Sequence, residues 1–366
     1  MELSVTQENL SKALSITSRV ASSRTQLPIL NNILFRTDGN RLLVAATNLE
    51  IATTEYIGAK VITQGAITVP ARLITEFITS LPKDTVELKV TNNHLNITCG
   101  KYHSIINGIE ADDFPELPTI DEKASVRYSI NVSDFKTSVN QTIFSTSNDT
   151  TRPILTGVYW HSDEGHLYLA STDGYRLAEK RLVETKSEVS AIIPTQSLQE
   201  VLRSISDDVE FIDILFDETQ VQFRINEIEI VSRLIDGKFP NYKQLIPSSS
   251  ETNIILNKDE FSRVIKVAGL FSRDSGGSIT ITADKDIGIL SIHSIASELG
   301  ENTSEVQCSI DNSGQITLNS RYLNEALNAF NCNEIVFSFS GKLSPCVIRP
   351  NSKDIDYCHI VMPLKS

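Results

Sequence analysis

The sequence has few of the residues on which catalytic and metal sites are usually built. Its five cysteines (Cys99, Cys308, Cys332, Cys346 and Cys358) are odd in number and far apart, with no C-x-x-C pair. That spacing argues against a disulfide framework and against a zinc site, and leaves reduced, buried thiols in a reducing compartment. The six histidines (His94, His103, His161, His166, His293 and His359) show no metal-ligand spacing, and neither H-E-x-x-H nor G-x-S-x-G occurs. No Walker-type loop or G-x-G-x-x-G is present. Gly276-Gly277 follows Arg273 and Asp274, but no strand leads into it and no helix follows, so it reads as a loop rather than a phosphate cradle. No run approaches the roughly 18 apolar residues of a membrane span. The opening MELSVTQENLSKAL has neither a basic n-region nor an apolar h-region. The expectation is a soluble, cytoplasmic protein with no membrane partner, metal or cofactor. Basic residues are also scarce: 33 Lys and Arg stand against 46 Asp and Glu, a net charge of −13. Taken whole, that total argues against a nucleic-acid partner.

Apolar residues make up 40% of the 366, enough for two or three domains of about 100 to 150 residues each. Six stretches have helical periodicity, and they come in pairs. Residues 8–24 place Leu10, Ala13, Leu14, Thr17 and Ala21 on one face, and PARLITEFITSLP from Pro70 turns Leu73, Ile74, Phe77, Ile78 and Leu81 inward. A third helix starts at Ser133 as its N-cap and buries Phe135, Val139 and Ile143. The fourth opens at Pro194, the fifth at Lys258 and the sixth at Asn319. Strand hairpins follow the second helix of each pair: 86–99 turning at Asn92-Asn93, 212–225 at Asp217-Glu218, and 334–350 at Gly341.

Internal repetition organises the chain. Asn9, Asp134 and Asp259 begin corresponding helices at offsets of 125, and Phe114-Pro115 recurs as Phe239-Pro240 at the same offset. LPILNNILF with LVAATNLEIA (27–52) is echoed by RPILTGVYW with LYLASTDGYRL (152–177). Three copies of one α+β unit explain the length, with domains at 1–122, 128–247 and 252–366. A row of repeats leaves edge strands unpaired at its two ends, and head-to-tail pairing into a ring removes them. The six helical segments hold twelve Lys and Arg against seven Asp and Glu, so the positive charge gathers there while the remainder is strongly acidic. A shared helix surface would hold a polyanion in one place only. Asp173 lies close in sequence to His161 and His166, but a D-G turn in a hairpin explains it better than a hydrolytic site.

The ordered set LPIL (27–30), VPAR (69–72), ADDFP (111–115), STDGYRLA (171–178), LIDGKFPNY (234–242), LNAFN (327–331) and the terminal VMPLKS resembles the bacterial DNA polymerase III β subunit family, the sliding clamps, over the whole chain. The resemblance implies three clamp domains per chain and a head-to-tail homodimer. The six domains of that dimer form a ring whose helices line the hole. The ring threads double-stranded DNA without reading its sequence, and tethers a polymerase rather than catalysing a reaction. The implied protein partners are the DNA polymerase III alpha subunit, the clamp loader and other proteins with clamp-binding motifs.

Carried over residue by residue, the family's peptide groove falls on Leu155, Thr172, Gly174, Tyr175, Arg176, Leu177, Pro240, Asn319, Tyr322, Val347, Ile360, Val361, Met362, Pro363 and Leu364. An apolar cleft with a flexible methionine suits leucine and phenylalanine anchors. Arg24 and Arg72 match places that face DNA, and Lys136, Arg203, Arg263 and Arg321 are added from helix position. The dimer contact falls on Ile106 against Leu270 and Phe271, with Lys101 near Glu298, Glu301 and Glu305. Tyr175 stands where the family often has histidine, Gln244-Leu245 replaces an arginine and a small apolar residue, Thr195-Gln196 replaces basic residues, and Lys365-Ser366 replaces a basic-apolar ending. Two other readings compete: a peptide-binding scaffold for which DNA is irrelevant, and an enzyme with a cleft between its domains.

Overall fold

The structure is a computed structural model describing residues 1–21, 27–298, 300–352 and 356–364. All six expected helices form: α1 (Gln7–Ala21), α2 (Ala71–Ser80), α3 (Val132–Thr142), α4 (Thr195–Ser204), α5 (Lys258–Phe271) and α6 (Ser320–Asn328). The apolar stripes do most of the placing. In α1, Leu10, Ala13, Leu14, Thr17 and Ala21 are all buried, as the periodicity requires. In α6, Leu323, Ala326 and Leu327 are buried together with Phe330 just beyond its end. The stripe of α2 is narrower than expected, because Ala71, Ile74 and Ile78 are buried while Leu73 is 51% exposed.

Caps fix the helix starts. Asn257 accepts from the amide of Glu260 at the head of α5, and Asn319 accepts from Arg321 and Tyr322 at the head of α6. Ser133 is not the cap of α3, contrary to the sequence reading. The helix begins one residue earlier, and the side chain of Asn131 accepts from the Ser133 amide at 2.9 Å. At the other end α3 stops at Thr142 and tightens into a 3-10 turn, Ile143–Ser145.

The chain divides into two compact units, one of residues 1–133 with 196–234, the other of residues 134–195 with 235–366. The middle repeat is thus shared between them. Each repeat contributes two antiparallel half-sheets, and neighbouring repeats merge theirs. In the first unit an eight-stranded sheet runs in the order Val126–Asn131, Phe211–Phe216, Gln220–Ile225, Ile228–Arg233, Ile51–Gly58, Arg41–Thr47, Asn32–Asp38, Ala66–Pro70. Its joint sets Thr53 opposite Ile230. The same unit holds a five-stranded sheet that ends at Tyr102–Asn107.

In the second unit a nine-stranded sheet is joined where Arg176–Glu184 pairs with Tyr357–Val361, Leu177 lying opposite Ile360. A four-stranded sheet in this unit ends at Gly300–Gln307. Close strand packing explains one glycine: a Cβ on Gly157 would lie 2.6 Å from the carbonyl oxygen of Ile193. The core beneath α5 and α6 includes Phe261, Phe330, Phe337, Phe339 and Tyr357, all 1% exposed or less. Deleting one such ring would cost about 3–5 kcal/mol.

Candidate functional site

The hairpin turn at 172–176 is wired by its own side chains. Thr172 Oγ1 donates to the carbonyl of Arg176 at 2.6 Å and accepts from the Gly174 amide at 3.0 Å. Asp173 Oδ1 accepts from the amides of Tyr175 and Arg176 at 2.9 and 3.0 Å. The first repeat has the same wiring. Thr47 Oγ1 donates to Ile51 and accepts from Leu49, while Asn48 Oδ1 accepts from Glu50 and Ile51. Gly174 has φ 94°, and its counterpart Leu49 holds φ 75° without the help of being glycine. Fold and function therefore separate within one motif. The Asx turn belongs to both copies, and only the second adds Tyr175, Arg176 and Leu177 at its exit.

Those three side chains go to different places. Leu177 joins a buried apolar cluster with Leu155, Val347, Ile360, Phe239 and Tyr242, against which Met362, Ile154 and Ile246 pack half-buried. Pro240 stands exposed beside Phe239, and Val361 is buried on the strand opposite Arg176. Tyr175 is 60% exposed and stacks on Tyr322, ring centroids 6.3 Å apart. The tail is laced down by backbone bonds from the Met362 amide to the Tyr175 carbonyl and from the Leu364 amide to the Thr317 carbonyl, both 2.9 Å, with Pro363 between them. The result is an apolar floor with a tyrosine pair and a methionine at its rim. All fifteen residues expected for the groove lie in this second unit.

Arg176 is not a free contact. Its guanidinium is 8% exposed, bonds Asp173 at 3.1 Å, Glu325, and the Phe144 carbonyl at 2.7 Å, and lies 4.8 Å from the Tyr322 ring centre. It acts as a strut that sets Tyr322 and the turn. Phe144 and Glu325, which complete that strut, carry no motif in the sequence.

Five of the six residues assigned to DNA lie on helices. Arg24 lies outside the described residues. Arg72 is exposed on α2 and pairs with Glu76 at 2.8 Å, and Arg203 pairs with Glu200 at 2.7 Å. Arg321 is exposed, 3.7 Å from Glu325. Arg263 is exposed on α5 and Lys136 half-exposed on α3, neither in an ion pair among the described residues. The dimer assignment needs one correction. Ile106 is 5% exposed and turns into the core of the first unit, whereas its neighbour Ile105 is 68% exposed on the opposite face of the strand. Leu270 is 53% exposed on α5. Phe271 is half-buried, Lys101 occupies an exposed turn, and Glu298, Glu301 and Glu305 are exposed in and beside the edge strand Gly300–Gln307.

Three family models match the chain in succession: the N-terminal domain of the DNA polymerase III beta subunit over residues 1–118, its central domain over 129–241 and its C-terminal domain over 243–365. The beta sliding clamp of Bacillus subtilis (strain 168) is 30% identical over 381 residues, covering 100% of both chains. That of Staphylococcus epidermidis (strain ATCC 12228) is 30% identical over 380 residues, again covering 100% of both. The chain belongs to the DNA polymerase III beta subunit family. The crystal structure of the DNA polymerase sliding clamp from Bacillus subtilis matches with a TM-score of 0.95 at 30% identity, over 100% of this chain and 99% of that one.

A sliding clamp is a non-catalytic processivity factor of DNA replication, and this chain has that role and the three-domain clamp fold. The scaffold-only reading is not favoured. The residues that suggested an enzyme are engaged otherwise: Asp173 holds the turn, His166 bonds the Glu164 carbonyl, and His161 Nε2 meets the Tyr242 hydroxyl at 2.7 Å. Tyr242 in turn donates to Glu179 at 2.5 Å. Burial, followed by the nearby Lys243 charge, pushes His161 down to about 4, so the ring is neutral in this clamp at ordinary pH. Cys99, Cys346 and Cys358 are buried as expected, while Cys308 and Cys332 are half-exposed.

Proposed function

We propose that this sliding clamp closes head-to-tail with a second copy into a ring that encircles double-stranded DNA regardless of sequence. The observation that carries the proposal is the rule by which the sheets are joined. Both internal joints pair the third strand of one repeat's first strand run with the third strand of the next repeat's second run: Ile51–Gly58 with Ile228–Arg233, and Arg176–Glu184 with Tyr357–Val361. Two strands of these classes remain at sheet edges, Gly300–Gln307 and Tyr102–Asn107. They belong to the third and first repeats, so the rule extends only to another copy. Tyr102 and Ile105 stand exposed on one edge and Leu270 beside the other, with Lys101 available to Glu301 and Glu305. Domains at 1–122, 128–247 and 252–366 are the units of this rule.

The groove of Leu155, Leu177, Val347, Ile360 and Met362, with Tyr175 and Tyr322 at its rim, receives leucine- and phenylalanine-bearing segments of the DNA polymerase III alpha subunit, the clamp loader and other clamp-binding proteins in the cytoplasm. Arg72, Lys136, Arg203, Arg263 and Arg321, with Arg24, supply phosphate contacts that hold position and carry no sequence preference. Sedimentation and retention on nicked circular DNA test the reading. A dimer that stays on the circle and leaves when the DNA is linearised is expected. A monomer at micromolar concentration that is never retained would sink it.

A further inference from the structure

The helix charges are not alike in how they are used. Arg19 and Arg203 both pair with Glu200 at 2.7 Å, Arg72 with Glu76 at 2.8 Å, and Lys83 with Glu8 at 2.7 Å. Among the described residues Lys12 on α1 and Lys136 on α3 are in no ion pair, and three more such cations follow one another on α5 and just after it: Arg263, Lys266 and Arg273. Two of these, Lys266 and Arg273, line a cavity of about 590 Å³ between α5, α6 and the loop that follows α5. Arg321, 3.7 Å from Glu325, reaches it from α6, and no carboxylate lines it. Gly276 and Gly277 form one wall with φ of 67° and 83°, a backbone that other residues rarely adopt, held by Asn319 Nδ2 donating to the Gly276 carbonyl at 3.0 Å. Asn319 already caps the first amides of α6, so recognition falls to the three side-chain cations.

We propose that this cavity is a phosphate site that seats one backbone phosphodiester of duplex DNA. Three cations facing one recess repel each other, and an anion relieves that repulsion while releasing counterions from the DNA. Asparagines, serines and glycines make up most of the rest of its wall, with Ile265 and Leu270 on the α5 side. The sequence reading of Gly276-Gly277 as a plain loop is thereby revised: no strand leads into it, but a helix and its cations flank it. The proposal rests on the sliding-clamp reading and adds to it an uneven grip, strongest in the third repeat where Arg263, Lys266 and Arg273 are in no ion pair among the described residues.

The test compares K266A/R273A with K83A/R127A, two cations paired with Glu8 and Asp213 and not assigned to DNA, in the whole chain, by anisotropy of a labelled duplex across a salt series. The cavity variant is expected to lose about tenfold in affinity at low salt and to flatten the log–log salt slope by about two, one for each lost phosphate contact. The paired-cation variant is expected to lose less than about threefold. Equal losses in both variants, or none in the first, overturn the proposal. Line broadening of inorganic phosphate in ³¹P NMR separates the two sources of the anion. Broadening lost in the cavity variant together with duplex affinity supports the site. Broadening lost while duplex affinity stays at wild type marks a free-phosphate pocket and overturns the DNA assignment. Wild-type protein that never stays on circular DNA would instead bring down the encirclement reading itself, a result distinct from any of these. Melting curves matching wild type confirm that both variants are folded.

Discussion

Glu55 is a carboxyl in the wrong solvent. It is 6% exposed on the strand Ile51–Gly58, one of its oxygens has no hydrogen-bond partner, and burial raises it to about 7 against the opposing pull of Lys12 and Arg19. A raised acid favours folding when protonated, so its contribution is complete below the unfolded value near 4.5 and is lost as pH climbs through 7. Glu55→Gln is expected to gain up to about 3 kcal/mol at pH 8 and almost nothing at pH 4, read from urea melts. His161 has the opposite sign. Its folded value near 4 lies below the unfolded 6.5, so stability is lost as pH falls from 6.5 to 4. His161→Phe, which keeps the stack on Tyr159, is expected to remove about 3 kcal/mol of that acid sensitivity in the same melts. Neither effect is legible from the sequence, where both residues sit in unremarkable strands. Burial of a titratable group is a tertiary fact. The choice between Ile105 and Ile106 has a similar cause: strand alternation sends adjacent isoleucines to opposite faces, and only the fold says which face is the core.

At the level of elements the sequence speaks more clearly. The 3.6-residue periodicity located all six helices, because each needs one apolar stripe whatever its neighbours are. The hairpins followed from their turns. Missed were the strut from Arg176 to Glu325 and Phe144, set by contacts distant in sequence, and the Asn131 cap, which competed with an equally plausible serine two residues on. The groove residues came from family resemblance, and their gathering around Leu177 and Ile360 depends on the joint between two repeats. Met362→Ala is expected to weaken a leucine-anchored clamp-binding peptide by about 1–2 kcal/mol in calorimetry, with the melting temperature unchanged, since Met362 packs at the edge of the cluster. Asp173→Ala is expected to act the other way round. Removing the acceptor of two amides and the partner of a buried guanidinium would cost about 2–4 kcal/mol of stability.

For the whole molecule, the repeat offset of 125 made the threefold division visible, but not the sheets that cross it, because hydrogen bonds between repeats leave no periodic mark on side chains. Extending the first joint's register by that offset places Thr303 of one copy opposite Ile105 of the next. A mixture of Ile105→Cys and Thr303→Cys is expected to yield a covalent dimer with a short thiol crosslinker, and Leu73→Cys with Thr303→Cys is expected to yield none. Persistent monomer in the first mixture would refute the register. The joints also differ in what backs them. The two within the chain are tied by peptide linkers, so a strand that lets go finds its partner still nearby at millimolar effective concentration. In the proposed ring a joint between copies is leashed only by the other such joint, and once both open, re-closure depends on how many free copies surround them. In the proposed ring, dilution therefore acts on the two joints between copies and spares those within each chain.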